Sequence, residues 1–182
     1  PLQDMSKNDF PLPTVSASID GWRDEIVTGR GFQVLTGLPV DRWDEEKSSL
    51  FFWCFGLHLG RPGAQNRKGD LLGHVRDTGA DKKNPFVRQY LTTQSIPYHC
   101  DAADVVGLLC LKKAKTGGRS RIASSISIYN EIARRRPDLA PRLFEPFMLD
   151  TRDESDVTGA QVLPIPPCQF GGGELRTFYH AE

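Results

Sequence analysis

A chain of 182 residues with no net charge, 38% hydrophobic and 25% charged residues has the length and composition of one soluble globular domain. The charge balance offers no general attraction for nucleic acid or an anionic membrane, and no apolar run reaches the length of a membrane span. No signal-peptide pattern opens the chain, which starts on Pro1 rather than Met, so a start residue at least is expected to be missing. Cys54, Cys100, Cys110 and Cys168 are widely spaced and form no CxxC pair. That spacing argues against a zinc ribbon or a thioredoxin-like site and for the reduced, buried thiols of a cytoplasmic protein.

Residues 1–16, with Pro1, Pro11 and Pro13, predict an extended arm ahead of a folded region over residues 17–182. A helix is expected over 17–27, ended by Gly29-Arg30-Gly31, followed by a short apolar strand over 32–35 that Gly37-Leu38-Pro39 closes. Asp41 is placed to cap a second helix, with Asp44, Glu45 and Glu46 near its positive end. Residues 50–55 are apolar all round, so this helix is expected to be buried, with Leu50, Phe51, Trp53 and Cys54 in the core and Gly56, Gly60 and Pro62 ending it. The texture then changes to strands, over 71–75, 87–93, 105–111 and 120–124. A helix over 128–136 stops at Pro137, a short one follows over 138–144, and three more strands are expected over 147–150, 161–165 and 175–179. The sum is an α+β, mainly β chain: an antiparallel sandwich or jelly roll with flanking helices. The later strands are few for eight-stranded closure, which predicts that the C-terminal part of the fold is lacking.

His99-Cys100-Asp101 carries the chemistry. In an extended segment side chains alternate faces, so the His and the Asp point the same way and Cys100 points to the other. An imidazole and a carboxylate on one face are two of the three ligands of the facial triad that holds non-haem Fe(II) with open positions. The tripeptide alone is weak evidence, and its surroundings strengthen it. In order along the chain stand Gly29 to Pro39, Leu59-Gly60-Arg61-Pro62, Tyr98-His99-Cys100-Asp101, Gly117-Gly118-Arg119-Ser120 and Tyr129-Asn130-Glu131. This ordered set resembles the TauD/TfdA-like family of Fe(II)- and 2-oxoglutarate-dependent dioxygenases, over roughly residues 29–179.

The resemblance implies a double-stranded β-helix (a jelly roll of the clavaminate synthase-like kind). It also implies His99 and Asp101 as metal ligands and Ser120 as a hydroxyl that helps hold the 2-oxoglutarate carboxylate. The implied reaction oxidises a small organic substrate, usually by hydroxylation, while 2-oxoglutarate becomes succinate and carbon dioxide. Residues 92–98 would line the mouth of the pocket. In the family a second His and then an Arg follow nearer the C-terminus, and no segment here matches either, so the chain is expected to be the N-terminal portion of a longer enzyme. It is also expected, as it stands, not to bind Fe(II) tightly or turn over 2-oxoglutarate. Neither a nucleic-acid nor a membrane partner is implied, and self-association is left open.

Each residue has a plainer reading. His99 can be a hydrogen-bonded core His, Asp101 a turn residue and Ser120 an ordinary hydroxyl. Gly117-Gly118 reads as a hairpin turn in either case. His180 is the only His after the motif, but Phe178-Tyr179-His180-Ala181 resembles a different strand of the family from the one bearing the distal His. His58 and His74 read as structural, and Arg134-Arg135-Arg136 as a solvated helix end. Two other functions fit parts of the pattern: another cupin-like metalloenzyme, or a non-catalytic or truncated jelly-roll domain. The signatures GxSxG, HExxH, GxxxxGK[ST] and GxGxxG are absent from the sequence.

Overall fold

The computed structural model describes residues 2–66, 69–83, 87–150 and 161–180, which leaves Pro1 of the expected arm outside the described residues. The chain divides into two compact units, residues 1–72 with 104–121, and residues 73–103 with 122–182.

The first unit is built on two helices, α1 (Ser16–Val27) and α2 (Glu45–Leu59). Asp44, not Asp41, caps α2: its carboxylate accepts the Lys47 amide at 2.7 Å, and Glu45 and Glu46 follow in the first turn. Asp41 is instead taken up in a 3-10 turn over Val40–Arg42, three residues too early to reach an unpaired helix amide. Gly56 does not stop α2, which continues to Leu59 and ends with Gly60 as its C-cap. A glycine inside a helix lowers its stability without ending it when its neighbours are packed.

Phe51 organises the aromatic cluster of this unit. Its ring lies 5.1 Å from Trp43, 5.9 Å from Phe55 and 6.4 Å from Phe10, the last edge-on. Phe55 in turn meets Trp22 of α1 at 6.3 Å. Ile19, Trp53 and Cys54 are buried, whereas Phe51 is half-buried and Leu50 remains 39% exposed. The expected core set thus divides around the helix, because an all-apolar helix buries only the stripe that finds a partner. The N-terminal segment lies against α2: Met5 Sδ is 3.9 Å from Cys54 Sγ, and His58 Nε2 donates to the Phe10 carbonyl at 2.8 Å. Segment 104–121 reaches the same helix at Gly107, where a Cβ would come within 3.2 Å of the Phe52 ring.

The second unit contains α3 (Ser125–Arg135), a 3-10 turn over Ala140–Phe144, and strands β1 (Phe147–Asp150), β2 (Val162–Ile165), β3 (Cys168–Gly171) and β4 (Glu174–Thr177). Ser124 caps α3 by accepting the Ser127 amide at 3.2 Å, so the helix starts three residues before its expected first residue, 128. Its basic end is solvated and ion-paired, with Arg134 and Arg135 on Glu131 and Arg136 on Asp138. Strands β1 and β2 pair antiparallel, Phe147 opposite Ile165 and Asp150 opposite Val162. Strands β3 and β4 form a second antiparallel pair, Cys168 opposite Thr177 and Gly171 opposite Glu174. The two-residue loop Gly172-Gly173 between them has φ of 64° and 86°, the type I′ geometry that matches the twist of a hairpin. Phe144 stacks on Phe170 at 5.4 Å and meets Tyr129 edge-on at 5.8 Å, tying α3 and the 3-10 turn to β3.

Among the described residues these four strands form two separate two-stranded sheets. The strands expected over 32–35, 71–75, 87–93, 105–111 and 120–124 join no ladder; 71–75 and 105–111 are irregular, and Gln89–Leu91 is a 3-10 turn. The β3 strand was not expected, although Gly171-Gly172-Gly173 is a hairpin signal in plain view. Conversely, Gly117 and Gly118 adopt φ of 72° and 68°, yet no paired strands flank them. A turn is a local property of the chain, whereas a strand exists only where a partner takes its hydrogen bonds.

Burial also separates the four thiols. Cys54 and Cys168 are buried, Cys100 is intermediate and Cys110 is exposed. Burial pushes the Cys54 and Cys168 thiols above the ordinary cysteine range, and the Asp9 carboxylate adds to the effect at Cys54. Less thiolate at a given pH means slower alkylation. In a timed iodoacetamide reaction at pH 8, read by mass spectrometry, Cys110 is expected to label first and Cys54 and Cys168 last; equal rates at all four would contradict this burial order.

Candidate metal centre

The β3–β4 hairpin sets the position of the last described residues. Its pairing continues beyond the strands, where the Phe178 amide donates to the Pro167 carbonyl at 2.9 Å. One residue on, the Tyr179 carbonyl accepts the Cys100 amide at 2.7 Å. That bond holds the His99-Cys100-Asp101 segment beside residues 178–180, all within the second unit. Residues 99–101 themselves lie in no strand; they form a loop pinned at Cys100.

The two side chains nevertheless converge. His99 Nε2 lies 3.7 Å from Asp101 Oδ1, with the His side chain 33% and the Asp side chain 53% exposed. The other ring nitrogen of His99, Nδ1, is 2.8 Å from the Pro97 carbonyl. A carbonyl oxygen only accepts, so Nδ1 carries the proton, and in the neutral ring Nε2 presents its lone pair on the Asp101 side. This is the arrangement by which metal-ligating imidazoles are commonly oriented. Donors held about 2.0–2.2 Å from one ion are roughly 3 Å apart at a right angle and about 4.4 Å at most, so the pair lies within the span of one divalent cation as a two-donor set. Among the described residues, no group of three or more His, Cys, Asp or Glu side chains is arranged to hold a metal ion.

His180 is close to this pair without belonging to it. Its ring centroid is 5.6 Å from that of His99, with the planes tilted by 60°. Ser120 stands in the first unit, on the exposed, irregular segment 104–121. Of the remaining histidines, His58 is the hydrogen-bonded partner of Phe10 already described, and His74 Nδ1 contacts the Arg76 guanidinium at 2.9 Å. An apolar groove of about 540 Å³ runs along α3 between Ile128, Ile132, Leu139 and Leu143, and neither His99 nor Asp101 lines it. The Pro97 carbonyl was not foreseeable, because a backbone acceptor carries no residue-type signal.

Fold and site define a chain that presents a histidine–carboxylate donor pair beside a small β-hairpin. Comparison with known proteins is consistent with that class: the model of the taurine catabolism dioxygenase TauD, TfdA family matches residues 1–176, and the chain belongs to this family. It is 33% identical over 152 residues to FR-33289 synthase of Streptomyces rubellomurinus, a match that covers 83% of this chain and 45% of that protein. It is 30% identical over 154 residues to a taurine hydroxylase-like protein of Stachybotrys chartarum, covering 81% of this chain and 40% of that one. The chain therefore spans less than half the length of the curated relatives it matches. Among the described residues, no helix is long and apolar enough to cross a membrane.

Proposed function

We propose that the protein carrying this chain is an Fe(II)- and 2-oxoglutarate-dependent dioxygenase that oxidises a small organic substrate, on a double-stranded β-helix to which this chain contributes. The observation that carries the proposal is the His99 Nε2–Asp101 Oδ1 pair at 3.7 Å, with Nδ1 committed to the Pro97 carbonyl. Family membership supports the same reading.

His99 and Asp101 are the residues that would hold the iron. When bound together with 2-oxoglutarate and oxygen, ferrous iron supplies the oxidising power to hydroxylate an unactivated C–H bond, as 2-oxoglutarate goes to succinate and carbon dioxide. The chain's own residues do the rest. Asp101 contributes one negative charge, which offsets part of the cation's charge. The Pro97 carbonyl keeps the His99 proton on Nδ1, so that the imidazole stays a donor through Nε2. The Tyr179 carbonyl fixes the backbone between the two donors through the Cys100 amide. Ser120 would offer its hydroxyl to the 2-oxoglutarate carboxylate, and residues 92–98 would face the substrate.

The test is 2-oxoglutarate turnover by the protein carrying this sequence, under air with added Fe(II), read as succinate. Succinate formation that depends on both Fe(II) and 2-oxoglutarate is the expected result. Metal binding that is indifferent to 2-oxoglutarate, with no succinate formed across a panel of small substrates, would overturn the proposal in favour of another cupin-like metalloprotein.

A further inference from the structure

The imidazole of His180 has no part in the donor pair, yet it is held beside it by the backbone. The Tyr179 carbonyl is fixed on the Cys100 amide, and the next side chain along brings its ring to 5.6 Å from that of His99, tilted by 60°. Among the described residues, His99 makes one hydrogen bond, from Nδ1 to the Pro97 carbonyl. Its χ1 still has other staggered wells, and its exposed side chain has room to sample them. The half-buried His180 ring lies against one side of it. Tilted packing of this kind is also the arrangement aromatic pairs prefer.

We infer that His180 is a positioning residue for His99, which keeps Nε2 turned toward Asp101. This rests on the reading of His99 as a metal donor. The ring of His180 acts here as a flat aromatic surface, not through its nitrogens. Positioning by shape and ligation by a nitrogen therefore make different predictions for the same substitution: phenylalanine keeps the ring and removes both nitrogens.

The experiment uses the protein carrying this sequence and its His180→Ala, His180→Phe and His99→Ala variants, with cobalt(II) alone as the probe. Cobalt affinity is measured by absorption titration, and the ¹⁵N signals of the His99 ring are recorded in the metal-free protein. His180→Ala is expected to weaken cobalt binding roughly 10-fold, the lower end of what loss of an orienting partner costs. It is also expected to average the His99 ring signals toward those of a free imidazole. His180→Phe is expected to stay within about threefold of the parent affinity, on the same scale, and to keep the His99 signals sharp. Two results would overturn the inference: a His180→Ala protein indistinguishable from the parent in both measurements, or a His180→Phe protein as weak as His180→Ala. The second would make the His180 nitrogen itself a donor. Cobalt binding unchanged in His99→Ala would sink the metal reading separately, while the metal-free ring signals would still decide whether His180 holds His99 in place.

Discussion

Replacing His99 by alanine is expected to lower divalent-metal affinity by more than about 100-fold, because loss of an outer-shell partner alone costs roughly 10–100-fold and this substitution removes a donor. Succinate formation by the protein carrying this sequence is expected to fall to background with it. Asp101→Ala should behave alike, since it removes the other donor of the 3.7 Å pair and the negative charge that offsets the cation. Neither substitution should disturb the fold much, because both side chains are substantially exposed and neither contributes to the apolar core. Far-UV circular dichroism superimposable on the parent, with the metal affinity lost, is the expected pair of observations. Retained affinity in both variants would mean that the His–Asp pair is only a surface ion contact.

The second large effect is structural. Trp53 is 4% exposed on α2, next to Cys54, which is completely buried. Truncating a buried Trp to alanine costs about 3–5 kcal/mol, the sum of lost transfer energy and the cavity left behind. With a urea dependence of about 1–3 kcal/mol/M for a small protein, the unfolding midpoint should drop by roughly 2 M. Leu50→Ala, at a side chain still 39% exposed on the same helix, should move the midpoint by no more than a fraction of that. The contrast is sharper than either value alone, because the two residues are three apart and share one secondary structure. Trp53→Phe should cost less than the alanine variant. It retains most of the packed ring, and the indole Nε1 it removes is a buried donor with no acceptor among the described residues. Equal midpoints for the Trp53 and Leu50 alanine variants would show that α2 does not bury the stripe described.

The helices were legible because their signals are local. The spacing of apolar side chains places α1 and α2, and Pro137 marks the stop of α3. Even there, the choice between Asp41 and Asp44 as the cap of α2 could not be made from residue type. Both are good caps, and only the backbone path through the Val40–Arg42 turn decides which carboxylate meets the Lys47 amide. Strands 147–150 and 161–165 were close to their observed bounds, and the strand expected over 175–179 is β4, shifted to Glu174–Thr177. The others were read from apolar runs that find no ladder partner among the described residues. A run of Val, Ile and Leu states what a strand would bury, not which neighbour will pair with it.

The amino-acid sequence by itself determined that an imidazole and a carboxylate meet: His99 and Asp101 are two residues apart, and their side chains come within 3.7 Å although no sheet surrounds them. It also determined the family, since an ordered set of short motifs is a property of the chain and not of its packing. Tertiary structure alone decided what holds the pair. The Pro97 carbonyl on Nδ1, the Tyr179 carbonyl on the Cys100 amide and the His180 ring beside His99 belong to backbone paths and to residues distant in sequence. Backbone acceptors look the same at every position, and long-range neighbours are set by how the β3–β4 hairpin is registered. No local pattern of residue types encodes either.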